Sequence, residues 1–122
     1  MAGNSWLGVA QWMTAAEQPP SLKCIAPFEG VSDIYREIIC RGGVPYTEFF
    51  SWVASTLRGR SQQEDLAAMI EKYPLMNEYW ADKRAKIDRI QCPAYVVASY
   101  STCLHTPGTL RGFEDIKHDQ KW

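Results

Sequence analysis

The sequence predicts an α/β chain: a reduced unit of about two strands, parallel if they pair, in which five to six helices dominate. Three observations lead there. Near the start, Gly3-Asn4-Ser5-Trp6-Leu7-Gly8 sets a serine among small residues just ahead of an apolar helical segment, and a short strand follows that segment. Between residues 32 and 88 the hydrophobic period is helical throughout. Near the end, a run rich in β-branched residues precedes one more helix. Turn, helix, strand, helical stretch, strand, helix is the order of an α/β unit carrying an insertion.

Taken in order, residues 6–17 read as a helix apolar almost all round, since only Gln11, Thr14 and Glu17 are polar. Such a helix is buried on both sides. Gln18-Pro19-Pro20 stops it, because a residue before proline is pushed out of helical geometry. Residues 22–26 then read as a strand ended by Pro27, and no strand is expected ahead of Ser5. Ser32 or Asp33 can cap a helix that runs through Cys40 and stops at Gly42-Gly43. Thr47 can cap the next, through Leu57, with Phe49, Phe50, Trp52 and Val53 on its apolar side and Gly59 behind it. Ser61-Gln62-Gln63-Glu64 fits a capping box for a helix that turns Leu66, Ala67, Met69 and Ile70 inward and ends at Pro74. Residues 81–87 make a short charged turn or helix. Residues 94–100 (AYVVASY) are the clearest strand, apolar without a break as in a strand covered on both faces. Residues 108–116 form the last helix, with Leu110, Phe113 and Ile116 on one side.

A chain of 122 residues makes one domain at most and buries roughly two thirds of the surface its unfolded form exposes. Five Trp and six Tyr are many for that length and point to large buried or interface contacts. The formal charge of −1, with no basic stripe, leaves nucleic acid without an electrostatic footprint. Cys24, Cys40, Cys92 and Cys103 form no CxxC pair, and with two histidines in the chain they make no metal pattern; no cofactor is expected. No stretch reaches the ~18 apolar residues that span a membrane, and no secretory leader is recognisable. The expectation is a cytoplasmic protein with reduced thiols and no membrane partner.

Three stretches carry a resemblance: GNSWLGVAQW, then PPSLKCIAPFEGVSDIYRE, then CPAYVVASYSTCLHTPGTLRGFEDI. In sequence and order they resemble the α/β-hydrolase core of the cocaine esterase and Xaa-Pro dipeptidyl-peptidase family, the CocE/NonD hydrolases. Trp12 and the SDIYR segment fall at the family's spacings, and Gly8 lies three residues after Ser5, the longer turn of that family and not a plain GxSxG. The resemblance implies a truncated α/β-hydrolase core. Residues 1–31 would be the nucleophile elbow, its helix and the next strand, residues 32–88 a helical cap, and residues 89–122 the final strand and helix. It also implies a middle segment of a longer hydrolase, lacking the strand that feeds the elbow.

What the resemblance implies chemically is acyl transfer to water, on esters or on peptides with proline second. Ser5 matches the nucleophile, and the Trp6 backbone N–H would be one oxyanion donor; read locally, Ser5 simply caps the helix that starts at Trp6. A serine hydroxyl needs a histidine to take its proton and an acid to orient that histidine. The family's histidine would come after residue 122, and its acid would fall in Ser99-Tyr100-Ser101-Thr102, where no carboxylate stands. Glu29 and His105 follow other sheet elements on the same edge and are the candidates for a rebuilt acid and base. The competing local readings have Glu29 cap, or pair with Lys23 or Arg36, and bond His105 to loop backbone, and His118 reads as solvated. Phe49, Phe50, Trp52, Tyr79 and Trp80 are candidates for a pocket under the cap, or else core of the helical stretch. The function read from this is a partial serine hydrolase, weak or inactive, acting on a small acyl or peptide-like ligand. The alternative is a non-hydrolytic binding or interaction protein with a repurposed pocket. Exposed apolar surface on so reduced a sheet predicts a homo-oligomer or a complementing chain.

Overall fold

A strand, β1 (Ala2–Asn4), runs straight into the Ser5 turn and helix α1 (Trp6–Ala16). It pairs in parallel with β2 (Ala26–Phe28), Ala2 opposite Ala26 and Asn4 opposite Phe28. This corrects the expectation that nothing feeds the turn. Ala-Gly-Asn has little strand propensity, and the pairing with β2 makes it a strand. The computed structural model describes residues 1–57 and 59–122.

β2 lies later than expected, and Pro27 sits inside it where residues 22–26 were read as the strand. Pro27 donates nothing, but its carbonyl accepts the Val97 N–H at 3.1 Å, so the ladder continues past it. On that side, single parallel bridges join Ile25 to Ala94 and Phe28 to Val97, and a further one joins Ala94 to Lys121. The expected strand over residues 94–100 is thus reduced to contacts at Ala94 and Val97, and its two-sided cover is corrected too. Ala94 is buried, but Tyr95 is 57% exposed and Tyr100 is 99% exposed.

The helical middle departs from expectation where it begins. Residues 32–40 form no ordinary helix: a π-helical turn, Tyr35–Ile39, is followed by a hairpin of β3 (Cys40–Arg41) and β4 (Val44–Pro45). Gly42 and Gly43 close that hairpin with φ of 61° and 84°, the paired positive values that a two-residue turn of this hand requires. Asp33 does bond like a cap, its carboxylate accepting the Arg36 N–H at 2.9 Å. Helices α2 (Thr47–Thr56), α3 (Leu66–Lys72) and α4 (Glu78–Asp82) follow, then a 3₁₀ turn, Ile87–Arg89, and α5 (Thr106–Asp115). Two expected caps are corrected. Tyr46, not Thr47, precedes α2, with no side-chain bond, and Asp65, not Ser61, caps α3 by accepting the Ala68 N–H at 3.0 Å.

Two apolar clusters share α1. Val9 packs with Val31, Ile34, Ile38, Phe50 and Trp80 on one side, and Trp12, Ala15 and Ala16 pack with Ile25, Ile90 and Ile116 on the other. α1 is therefore buried on two sides, yet not all round, since Trp6 and Leu7 are exposed. Its one buried polar side chain, Gln11, is fully used: the amide donates to the Leu7 carbonyl at 2.9 Å, and its oxygen accepts the Ala26 N–H at 2.9 Å. Gln11 so clips the helix to β2, and that contact fixes where the Ser5 turn points. The fold is a reduced α/β unit, one short parallel strand pair and one hairpin, in which helices dominate.

Candidate active site

Ser5 occupies the sharp corner between β1 and α1, with φ 56° and ψ −118°. A side chain rarely adopts that backbone, at a cost on the order of 1–3 kcal/mol, and the surroundings must over-determine it. They do: the Ser5 N–H donates to the Phe28 carbonyl at 2.9 Å, and its own carbonyl accepts from Gly8 at 2.8 Å and Val9 at 2.9 Å. Close packing helps. A Cβ at Gly30 would lie 2.7 Å from the carbonyl carbon of Gly8, so only glycines let α1 approach the loop after β2 this closely. The corner holds the hydroxyl out at the N-terminus of α1, where the first N–H groups have no intrahelical acceptor.

The Ser5 Oγ lies 3.1 Å from Nε2 of His105. His105 stands just before α5, and Thr109 ties the first turn of that helix down. The Thr109 hydroxyl donates to the His105 carbonyl at 2.9 Å and lies 3.2 Å from the Gly30 carbonyl. The ring's other nitrogen, Nδ1, is buried without a hydrogen-bond partner among the described residues. Burial disfavours the imidazolium and pushes its pKa below the usual value, while the Glu29 charge pulls the other way.

Glu29 shares the loop after β2, also at positive φ (50°), but its carboxylate is committed elsewhere. It accepts from the Asn4 amide at 3.2 Å and the Thr102 hydroxyl at 3.1 Å. The Ser99 hydroxyl first, then Asn4, hold it below the ordinary carboxylate range. Among the described residues Glu29 makes no ion pair with Lys23 or Arg36, Arg36 pairing with Asp33 at 2.8 Å instead, and the His105 ring meets Ser5 and not loop backbone. His118 lies apart, its Nδ1 accepting the Gln120 N–H at 3.0 Å.

Beside the pair is a cavity of about 100 Å³ lined by Ser5, His105 and apolar side chains, among them Phe49, Phe50 and Trp52. Tyr79 and Trp80, expected in the same pocket, are not there. Trp80 is fully buried in the core, its indole donating to the Tyr73 carbonyl at 2.8 Å, and the Tyr79 hydroxyl bonds Glu64 at 2.6 Å. The sequence reading missed Val9, Ile38, Val53, Leu57 and Leu104 as lining. Leu104, next to His105, and Val53, on the same apolar helix side as Phe49, Phe50 and Trp52, carried a signal of position.

The family model for X-Pro dipeptidyl-peptidase (S15 family) matches residues 1–72. Two crystal structures of a CocE/NonD family hydrolase from Staphylococcus aureus, one at 1.95 Å, resemble the chain at 32% identity and a TM-score of 0.86. The match covers 98% of this chain and 22% and 23% of those chains, so the chain spans less than a quarter of their length. No curated protein matches.

Proposed function

The chain belongs to the X-Pro dipeptidyl-peptidase (S15) family of hydrolases, and from that premise we propose that it carries a serine acyl-transfer site whose turnover is weak because its base lacks an orienting acid. The observation that carries this reading is the 3.1 Å approach of Ser5 Oγ to His105 Nε2 at a strained strand-to-helix corner. In acylation, Oγ attacks the acyl carbon of an ester, or of a peptide with proline second. The Oγ–C bond forms, the bond to the leaving group breaks, and the Oγ proton passes to Nε2 and on to the leaving atom. The Trp6 N–H is the oxyanion donor in this reading, a type of contact usually worth about 3–4 kcal/mol of barrier.

The weakness has a physical cause. An orienting carboxylate fixes the tautomer that leaves Nε2 free to accept, and it stabilises the imidazolium that forms; neutralising such an acid in a full triad costs about 10⁴ in rate. Glu29 acts on His105 only through its field, with its oxygens held by Asn4 and Thr102. We read residues 32–88 as the cap: Phe49, Phe50, Trp52, Val53 and Leu57 come from that stretch, while the segments on either side supply Ser5 and His105. Nδ1, without a partner among the described residues, favours one alternative, a pocket that binds a small acyl or peptide-like ligand without turning it over.

A fluorophosphonate probe with an activated ester tests this. The expected outcome is one adduct per chain, on Ser5, lost in Ser5→Ala, together with slow ester turnover. A folded protein that takes up no probe rejects acyl transfer and leaves the binding alternative.

A further inference from the structure

We propose, resting on the reading of Ser5 as an acyl acceptor, that this site takes short saturated acyl groups and that Trp6, Phe50 and Val53 set the limit. The cavity shared by Ser5 and His105 has about 100 Å³. A cavity of about 150 Å³ takes a benzene ring, and a group the size of a water molecule fills about 30 Å³. On that scale the site fits a tail of three or four carbon atoms better than a benzoyl group. Of its remaining walls, Val9, Ile38, Phe49 and Leu104 are hydrocarbon and offer nothing to a polar tail.

Trp6, Phe50 and Val53 also line a second cavity, of about 360 Å³, which contains neither Ser5 nor His105. These three side chains are a partition between a small chamber at Ser5 and a larger groove that includes neither Ser5 nor His105. Ile34, Ala54 and Leu66 also line the groove, together with the polar Gln63, Glu64 and Lys83, and Lys83 Nζ pairs with Glu64 at 2.9 Å. The partition is not uniformly firm. Phe50 is core, held edge-to-face by Phe49 with ring centroids 5.3 Å apart, whereas Val53 is half-buried and Trp6 is 43% exposed. Val53 is thus the position where volume can be removed to join the chambers, or added to close the small one.

The test follows the Ser5 adduct by intact mass with para-nitrophenyl acetate, butanoate, octanoate and benzoate; in each case the ester C–O bond breaks, the acyl group stays on Oγ and para-nitrophenolate leaves. Acetate and butanoate are expected to react at least about tenfold faster than octanoate and benzoate, since a single misfit methylene in an apolar pocket already costs about tenfold. Val53→Ala is expected to raise the octanoate-to-butanoate ratio about tenfold, and Val53→Phe to lower the butanoate-to-acetate ratio by a similar factor. Each readout is a ratio within one variant, so a general loss of folding or activity does not imitate it. Similar rates for all four esters, or ratios unmoved in both Val53 variants, overturn the proposal while leaving Ser5 an acyl acceptor. Absence of any adduct, with the esters and with a fluorophosphonate alike, overturns the underlying acyl-transfer reading and the proposal with it.

Discussion

Ser5 and His105 stand 100 positions apart in the chain and meet at 3.1 Å between Oγ and Nε2. Each is placed by backbone. Ser5 is fixed by its bond to the Phe28 carbonyl and His105 by the turn that Thr109 closes, and Thr109 and the Trp12 indole both reach the Gly30 carbonyl. The segment 28–30 is therefore the common support of Ser5 and His105.

Strain at the corner is measurable. Glycine adopts the Ser5 geometry without the 1–3 kcal/mol or so that a side chain incurs there, and it returns about 0.5–1 kcal/mol through the unfolded chain. Ser5→Gly is expected to exceed Ser5→Ala in stability by about 1 kcal/mol in urea denaturation. An alanine variant as stable as the glycine variant would show that the corner is unstrained.

The glycine contact under α1 gives a second expectation. A methyl at Gly30 would sit 2.7 Å from the Gly8 carbonyl carbon, against backbone that cannot swing aside. Gly30→Ala is expected to cost about 1–3 kcal/mol, the range for overpacking, and to slow labelling of Ser5. Unchanged stability and labelling would mean that the close approach is dispensable.

The pH dependence follows from His105. Only the neutral ring can take the Ser5 proton, and burial sets its folded pKa below the usual 6.5. Labelling of Ser5 is expected to rise through a midpoint below pH 6.5 and to be flat near neutrality. Glu29→Gln removes the charge that holds the pKa up, so its midpoint moves further to acid. In stability the sign is the same. The unfolded chain binds this proton first, so the contribution is complete above about pH 6.5 and is lost as pH falls toward the folded value. A midpoint at or above 6.5 in the wild type contradicts the burial argument.

Glu37 tests how the segment after Val31 is held. Its carboxylate, almost wholly buried, accepts the N–H of Ser32 at 2.8 Å and of Asp33 at 2.9 Å. Glu37→Ala strands both donors and is expected to cost about 3 kcal/mol, whereas Glu37→Gln retains an acceptor and costs less. Burial raises the Glu37 pKa above its unfolded value, so the favourable contribution is present at low pH and is lost as pH rises through the folded value. Glu37→Gln should therefore gain on wild type as pH rises. Denaturation curves at several pH values decide it, and equal losses for both variants at every pH would contradict it.

How much was legible from sequence depends on range. The Ser5 turn, α1 and the aromatics Phe49, Phe50 and Trp52 are written in local spacing, and the structure sets those aromatics around one cavity with Ser5. β1 was invisible because Ala-Gly-Asn becomes a strand only through its partner. The hairpin at Gly42-Gly43 hid inside a helical period, since two glycines read equally as a helix stop. Tyr79 and Trp80 were misplaced because spacing says that an aromatic is buried, not on which side of its helix. The ties of Glu29 to Asn4 and Thr102 span 25 and 73 positions, beyond any local pattern.

The central claim is that His105 activates Ser5, and the phosphonylation rate of Ser5 in His105→Ala measures it most directly. A positioned base contributes about 10²–10⁴-fold. With Nδ1 unpartnered among the described residues, a loss at the lower end, about 10²-fold, is expected in a variant that remains folded. A folded His105→Ala protein labelled as fast as wild type would contradict it.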